Sequence, residues 1–436
     1  MLTVNSLLFF SSLMISAHFL RSGDIFLSVA ILVFPFSLFY RRVWTRDIVA
    51  AGLMIAAFIW INSTLHIYSL RTMSGQPYVR MVLIMSVVTL FTLGNAILLF
   101  RKRQHGLSVQ SPGSADQTAF LVFMLSFLLL SFVRTKVTAY PMLLADRFYP
   151  GAGWLQILLL SFYGAWAAEQ ISDPKKSRKM RLLIWTVFSI VFFSQLLLGL
   201  LVSSLFLMTG KLHIPVPSII LLGPLYRGEG LFMPILFLST VILVGPAWCS
   251  HLCYFGAWDN RAALQQKRPT TLGKWAEPVR LSVLVVMILV TLLLRTLRLP
   301  SVYAAAGGLL IGGAGIAVMF FFSRRTGTMI HCRSVCPIGL LASVLGRINP
   351  LRIRINDDCN ECNACHYSCR YDALSIADIQ KRRAAYTCTL CGDCISSCSH
   401  SALEYRVMNF SPARSRQLFL VLVLTLHTAF MGLARI

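Results

Sequence analysis

Charge is scarce in this sequence: 13% of its 436 residues are Asp, Glu, Lys or Arg, and only 16 are acidic. Soluble domains carry about 25% charged residues, so a soluble enzyme is excluded. A disordered regulator is excluded too, because disorder needs low hydrophobicity and high charge density. No cysteine stands outside a short-spaced cluster, which excludes a secreted disulfide scaffold. The N-terminus lacks a basic segment and a small-x-small cleavage site, so residues 1–20 read as a first span and not as a cleaved signal.

What fills the chain instead is apolar: 56% of residues are hydrophobic, with mean hydropathy +0.70. A span takes about 20 such residues. Apolar runs occur at about 3–20, 24–40, 47–70, 81–100, 118–133, 153–170, 182–208, 229–247, 278–297, 302–322 and 416–434, and the Pro-interrupted stretch 214–225 reads as a re-entrant or interfacial piece. The net charge of +24 would suit nucleic acid. Here it has a topological cause, since basic residues collect in cytoplasmic connectors. Arg41, Arg42 and Arg46; Arg101, Lys102 and Arg103; Lys175, Lys176, Arg178, Lys179 and Arg181; Arg261, Lys267, Arg268, Lys274 and Arg280; and the segment 324–416 all follow even-numbered runs. The N-terminus is therefore expected in the cytoplasm and the C-terminus outside, with membrane lipid as a partner and no nucleic acid.

Between the tenth and eleventh runs, Cys359-x2-Cys362-x2-Cys365-x3-Cys369 is followed by Cys388-x2-Cys391-x2-Cys394-x3-Cys398, each cysteine offset by 29 residues. That spacing wraps three thiolates around one iron–sulfur cube and sends the fourth to the other. The expected sets are Cys359, Cys362, Cys365 and Cys398 for one 4Fe-4S centre, and Cys388, Cys391, Cys394 and Cys369 for the second. The competing chemistry is a pair of zinc sites, but two successive 2-2-3 runs are more specific for iron–sulfur. The stretch 355–406 resembles a bacterial two-cluster ferredoxin. Arg370 and Ser399 stand where a proline usually follows the fourth cysteine, which loosens the turn without removing a ligand.

The other four cysteines form matched pairs, Cys249-x3-Cys253 closing the eighth run and Cys332-x3-Cys336-Pro337 following the tenth. A separation of four puts both sulfurs of a pair on one face if the segment is helical. Both pairs are expected at the cytoplasmic rim. There they make a candidate third redox or metal centre, such as a 2Fe-2S cluster, a dithiol or a copper site, against packing thiols as the bland alternative. His251 and His331 adjoin them and could tune such a centre. His18, His66 and His427 lie within apolar runs without a local haem motif, so interhelical hydrogen bonding is expected of them. Asp146, Glu169, Glu229 and Glu277 are expected to snorkel to water at span ends. Trp154, Trp166, Trp185 and Trp248 are expected in interfacial belts.

On these motifs the region 180–410 resembles the membrane polyferredoxin family that includes NapH, the C-terminal part of NosR and CcoG. Tyr254 replaces the motif's proline after Cys253. The resemblance implies several spans, a cytoplasmic pair of 4Fe-4S clusters, and electron transfer between membrane quinol, cytoplasmic donors and extracytoplasmic redox partners. No long insertion and no Asp-Gly-Ala-Thr-type sequence offers a covalent flavin site, so any flavin comes from a partner.

The expectation is an all-α multi-pass protein of about eleven transmembrane helices in a prokaryotic inner membrane, with a small cytoplasmic α+β two-cluster ferredoxin-like domain. Its parts are an N-terminal membrane domain at 1–171, a basic cytoplasmic linker at 172–181, a membrane core at 182–350, the ferredoxin-like domain at 351–408 and a final helix at 409–436. The expected function is relay of electrons between a quinol or cytoplasmic donor and a respiratory partner. The alternatives are a maturation factor that reduces metal or thiol for a respiratory enzyme, and a redox sensor or transporter worked by the first six spans.

Overall fold

The computed structural model describes residues 2–40, 42–104, 114–137, 140–207 and 214–433. Arg41 and residues 434–436, expected in the final helix, lie outside them, as do the side chains of Arg101, Lys102 and Arg103. Every apolar run is mainly helical. Eight helices among the described residues are long and apolar enough to cross a membrane: Val43–Met73, Val79–Phe100, Ala115–Lys136, Pro174–Leu201, Phe232–Leu252, Ala276–Thr296, Ser301–Thr326 and Pro412–Leu433. The remaining runs differ locally. The first lies in the 20-residue helix Leu2–Arg21; Ile25–Tyr40 is a shorter apolar helix that tightens to a 3-10 helix over Phe34–Tyr40, around Pro35. Gly153–Ser172 is helical but carries Gln156, Glu169 and Gln170. The stretch 214–225 becomes the nine-residue helix Ile219–Arg227 with Pro224 inside it.

The chain divides into two compact units, Met1–Ala165 and Trp166–Ile436. In the first, Val43–Met73 and Val79–Gln104 lie along one another. Leu8, Val49, Ala50, Leu53, Ala96 and Leu99 form a buried apolar cluster there. Asn95 Nδ2 donates to Ser11 Oγ at 2.8 Å, giving the apolar contact a polar register. Asp146 does not snorkel. It is ion-paired to Arg134 at 2.8 Å and accepts the Gly151 and Gly153 N–H groups at 3.0 and 2.9 Å, because a largely covered carboxylate needs partners for its lone pairs.

The second unit holds all twelve cysteines. The segment expected as a linker is helical from Pro174 onward, in the first turns of Pro174–Leu201. Asp173 caps it by accepting the Lys175 N–H, and Pro174 sits in the first turn, where its missing N–H is harmless. Two of the four tryptophans expected in interfacial belts are core residues. Trp185 is 1% and Trp248 5% exposed; Trp185 Nε1 donates to the Cys253 carbonyl at 2.9 Å, and Trp248 packs edge-on against Phe237. Hydropathy reports depth along a helix, whereas these rings are placed by what they face.

The cysteine-rich segment is closed at its base by two antiparallel strands, β1 (Leu351–Ile355) and β2 (Leu403–Val407), with Ile353 opposite Tyr405. Alternate residues of each strand are buried, so Leu351, Ile353, Ile355, Leu403, Tyr405 and Val407 make one apolar face. That pairing brings the two ends of the segment together and returns the chain to Pro412–Leu433.

Candidate iron-sulfur centres

The internal repeat extends to the backbone. Glu361 and Leu390, Asn363 and Gly392, and Asp372 and Ser401 all have positive φ, and each pair is offset by the same 29 residues as the cysteines. The left-handed residue between the second and third cysteine turns the chain so that successive thiols face inward, and Gly or Asn adopts it at least strain. After each run a backbone N–H points at the fourth sulfur: Ala373 N to Cys369 Sγ at 3.3 Å and Ala402 N to Cys398 Sγ at 3.4 Å. Ser368 and Ser397, again one repeat apart, hydrogen-bond to each other at 2.9 Å where the halves meet.

The thiols fall into groups. Burial first, then Cys391, Cys388 and Cys369, pushes the Cys394 thiol well above the ordinary range. Those four line one cavity together with Tyr371 and Asp393. Burial also raises Cys365, opposed by the His366 N–H and reinforced by Cys359 and Cys398; Cys362 of the same run is exposed. Cys369 therefore sits with the second run, while Cys398 acts electrostatically on Cys365 of the first. Thiols so deeply placed ionise only against a compensating cation, which is the chemistry of a metal-binding donor set. Among the described residues no three Cys, His, Asp or Glu side chains converge on a single ion position; the thiols form wider groups.

The rim motifs share one design that differs from a continuous helix. Trp248–Leu252 and His331–Val335 are each a π-helical turn. The second cysteine then leaves the turn in an extended conformation and caps the next helix, Tyr254–Ala263 or Pro337–Leu345. Gly256 N donates to Cys253 Sγ and Gly339 N to Cys336 Sγ, both at 3.4 Å. Tyr254 occupies the place of Pro337 without altering this geometry. A Cβ on Gly256 would lie 2.9 Å from the Cys249 carbonyl, and one on Gly339 3.1 Å from that of Cys332, so the close return of the chain requires glycine at both. The pairs converge: burial, then Asp259, then Cys336, Cys253 and Cys249 raise the Cys332 thiol.

Arg280, 3% exposed, is the cation of this quartet. Its Nη2 donates to the Cys332 carbonyl at 3.1 Å and its Nε to that of Cys336 at 3.3 Å. Nearby, Glu277 is paired with Arg333. His331 is buried and held neutral, its pKa lowered by burial and by Arg280 to about 4; its ring closes on Gly315, where a Cβ would meet Cε1 at 2.7 Å. His251 Nδ1 bonds Ser250 Oγ at 2.9 Å, and His427 Nδ1 reaches the His251 carbonyl at 3.1 Å.

Three contacts join the rim motifs and the turns beside them to the cysteine-rich segment. Arg181 makes a two-pronged ion pair with Asp393 at 3.0 and 2.8 Å while its Nη1 donates to the Ser250 carbonyl at 3.1 Å. Tyr371, 4% exposed, donates to the Cys249 carbonyl, and Cys332 and Cys369 pack against the same buried cluster as its ring. Arg370 donates to the carbonyls of Gly327, Lys267 and Ala263 at 2.8, 3.2 and 3.3 Å. The residue that replaces the usual proline therefore tightens this corner, contrary to the looser turn expected from sequence. Arg181, Asp393, Tyr371, Arg280 and Arg370 carry no local signal of these roles; only the scarcity of charge in apolar surroundings marks Arg280.

The model of a family described as a 4Fe-4S binding domain matches residues 226–259 and 305–356. The first segment contains Cys249 and Cys253 and the second Cys332 and Cys336, so the match falls on the rim motifs. The chain is also similar to two proteins of Methanocaldococcus jannaschii named only as uncharacterized proteins. MJ0749 is 25% identical over 183 residues, 39% of this chain and 68% of the relative. MJ0750 is 26% identical over 91 residues, 21% of this chain and 37% of the relative. No solved structure matches. With eight apolar helices of spanning length, the match supports an iron–sulfur protein of ferredoxin type in a membrane.

Proposed function

We propose that the protein relays electrons through three iron–sulfur centres, two in the cysteine-rich segment and one at the rim. Cys359, Cys362, Cys365 and Cys398 hold the first, Cys388, Cys391, Cys394 and Cys369 the second, and Cys249, Cys253, Cys332 and Cys336 the third. When bound, such clusters supply one-electron chemistry at potentials set by charge, burial and hydrogen bonds to sulfur. The chain provides those settings. The N–H groups of Gly256, Gly339, Ala373 and Ala402 point at sulfur, and Arg280 offsets thiolate charge at the rim. The observation that carries the reading is Tyr371, which lines the cavity of the Cys388 quartet and whose hydroxyl reaches the Cys249 carbonyl. One side chain thus touches both the rim quartet and the second segment quartet.

The rim cysteines close Phe232–Leu252 and follow Ser301–Thr326, two of the apolar helices. We place the segment on the cytoplasmic side of a prokaryotic inner membrane. Its partners are a membrane quinol or cytoplasmic donor and a respiratory redox protein. Anaerobically reconstituted full-length protein should contain about eight irons from the two segment quartets, with further iron from the rim and reduced-cluster EPR signals. Cys249→Ser with Cys332→Ser should remove only the rim iron. Zinc in place of iron, with no signal on reduction, would end the relay reading.

A further inference from the structure

A cavity of about 530 Å³ opens beside Cys388, within the range of roughly 300–1,000 Å³ typical of small-ligand sites. Its walls carry five cations, Arg347, Arg352, Arg354, Lys381 and Arg383, and one carboxylate, Asp378. That carboxylate is engaged locally, accepting the Ser375 N–H and hydroxyl at 3.0 and 2.6 Å. Arg352 is engaged as well, donating to the carbonyls of Gly346, Leu351 and Arg347. Arg347 lies over the Tyr386 ring at 4.5 Å, giving the cleft a flat cationic wall.

The other three cations have no carboxylate partner among the described residues. Arg354 and Arg383 face each other across an isolated antiparallel bridge, an arrangement in which like charges repel. The strand neighbour of Arg354 is Glu404, which pairs with Arg406 instead. A fold that holds uncompensated positive charge in a concavity, against that repulsion, is built for an anion. The cleft is also specific in place: Cys388 forms part of its wall, and Leu390 of the same run lines it too.

We propose that this cleft binds a phosphate-bearing ligand of mononucleotide size and holds it against the Cys388 quartet. The cations match a phosphate dianion, and the Tyr386–Arg347 pair offers a surface for a planar ring. Its purpose rests on the relay reading; its binding does not. The phosphate could belong to a nucleotide cofactor or to an anionic phospholipid headgroup, and the experiment separates the two sources.

Full-length holoprotein in phosphatidylcholine nanodiscs is titrated with flavin mononucleotide, followed by quenching of flavin fluorescence. Saturable binding is expected, with Kd raised at least about tenfold, or about 1.4 kcal/mol, in Arg354→Glu with Arg383→Glu. It should be unchanged in Lys176→Glu with Lys179→Glu, which alters the same charge elsewhere. Lys381→Gln, a neutral change at an exposed site, serves if the double variant fails to fold, and should raise Kd about threefold, roughly 0.6 kcal/mol. Phosphatidylglycerol that co-purifies with the wild type and is lost from the cleft variants assigns the phosphate to a lipid and upholds the site in that form. Absence of both ligands, or equal loss in the control variant, overturns it. Iron is counted on the same samples: zinc there sinks the relay but not the cleft, and lost binding with iron intact sinks the cleft alone.

Discussion

The Tyr371 hydroxyl donates to the Cys249 carbonyl across 3.3 Å, linking residues 122 positions apart that belong to different cysteine motifs. Tyr371→Phe keeps the ring and should lower stability by only about 1 kcal/mol, with iron content unchanged. Tyr371→Ala opens a cavity in the buried cluster against which Cys332 and Cys369 pack and should lower it by about 3–5 kcal/mol. Thermal bleaching of the visible cluster absorbance reads both. Equal effects of Phe and Ala would show that the ring does not pack as described.

Arg181 and Asp393 are 3% and 5% exposed as side chains. Removing either partner alone strands a buried charge, so Arg181→Met or Asp393→Leu should each destabilise by about 3–5 kcal/mol. The double variant should be milder than either single one. A double-mutant cycle in denaturant checks this, and additive losses would contradict the pairing.

Gly256→Ala and Gly339→Ala press a methyl group on the carbonyls of Cys249 and Cys332. Each should lower stability by about 1–3 kcal/mol and deplete rim iron while the segment's iron is retained. Uniform iron loss would mean that the rim is not a separate site.

Arg370→Pro installs the residue customary after a fourth ferredoxin cysteine. It removes the donor to three carbonyls and should destabilise by at least about 2 kcal/mol, with faster proteolysis of the cysteine-rich segment. A gain in stability would show that the proline is the better residue here too.

Burial lifts the Asp259 carboxyl from 3.8 to about 6, against the Cys332 N–H it accepts. The folded chain thus holds this proton more tightly than the unfolded one, and stability of metal-free protein should fall as pH rises across that window. Asp259→Asn should flatten this slope in denaturant titrations. An unchanged slope would place the titration elsewhere.

Helical runs and the 29-residue repeat are legible in the sequence because both depend on local spacing. The positive-φ pairs at Glu361 and Leu390 and at Asn363 and Gly392 follow from that repeat. What joins the rim to the segment is not legible: Arg181 meets Asp393 across 212 positions, and within the basic stretch its charge looks like its neighbours'. Trp185 misleads for the same reason, since an aromatic near a helix end reads as a belt residue until the Cys253 carbonyl is found at its Nε1. The π turns at both rim motifs displace the second cysteine from the helical face that a spacing of four suggests.

The exchange of fourth cysteines has a consequence for biosynthesis. In the proposed assignment Cys369 serves the run that follows it and Cys398 the run that precedes it. A nascent chain that has emerged only as far as Cys369 owns neither nest in full. On that assignment the second quartet is complete only once Cys394 has been made and the first only once Cys398 has, so neither segment centre can fill before the second run is synthesised.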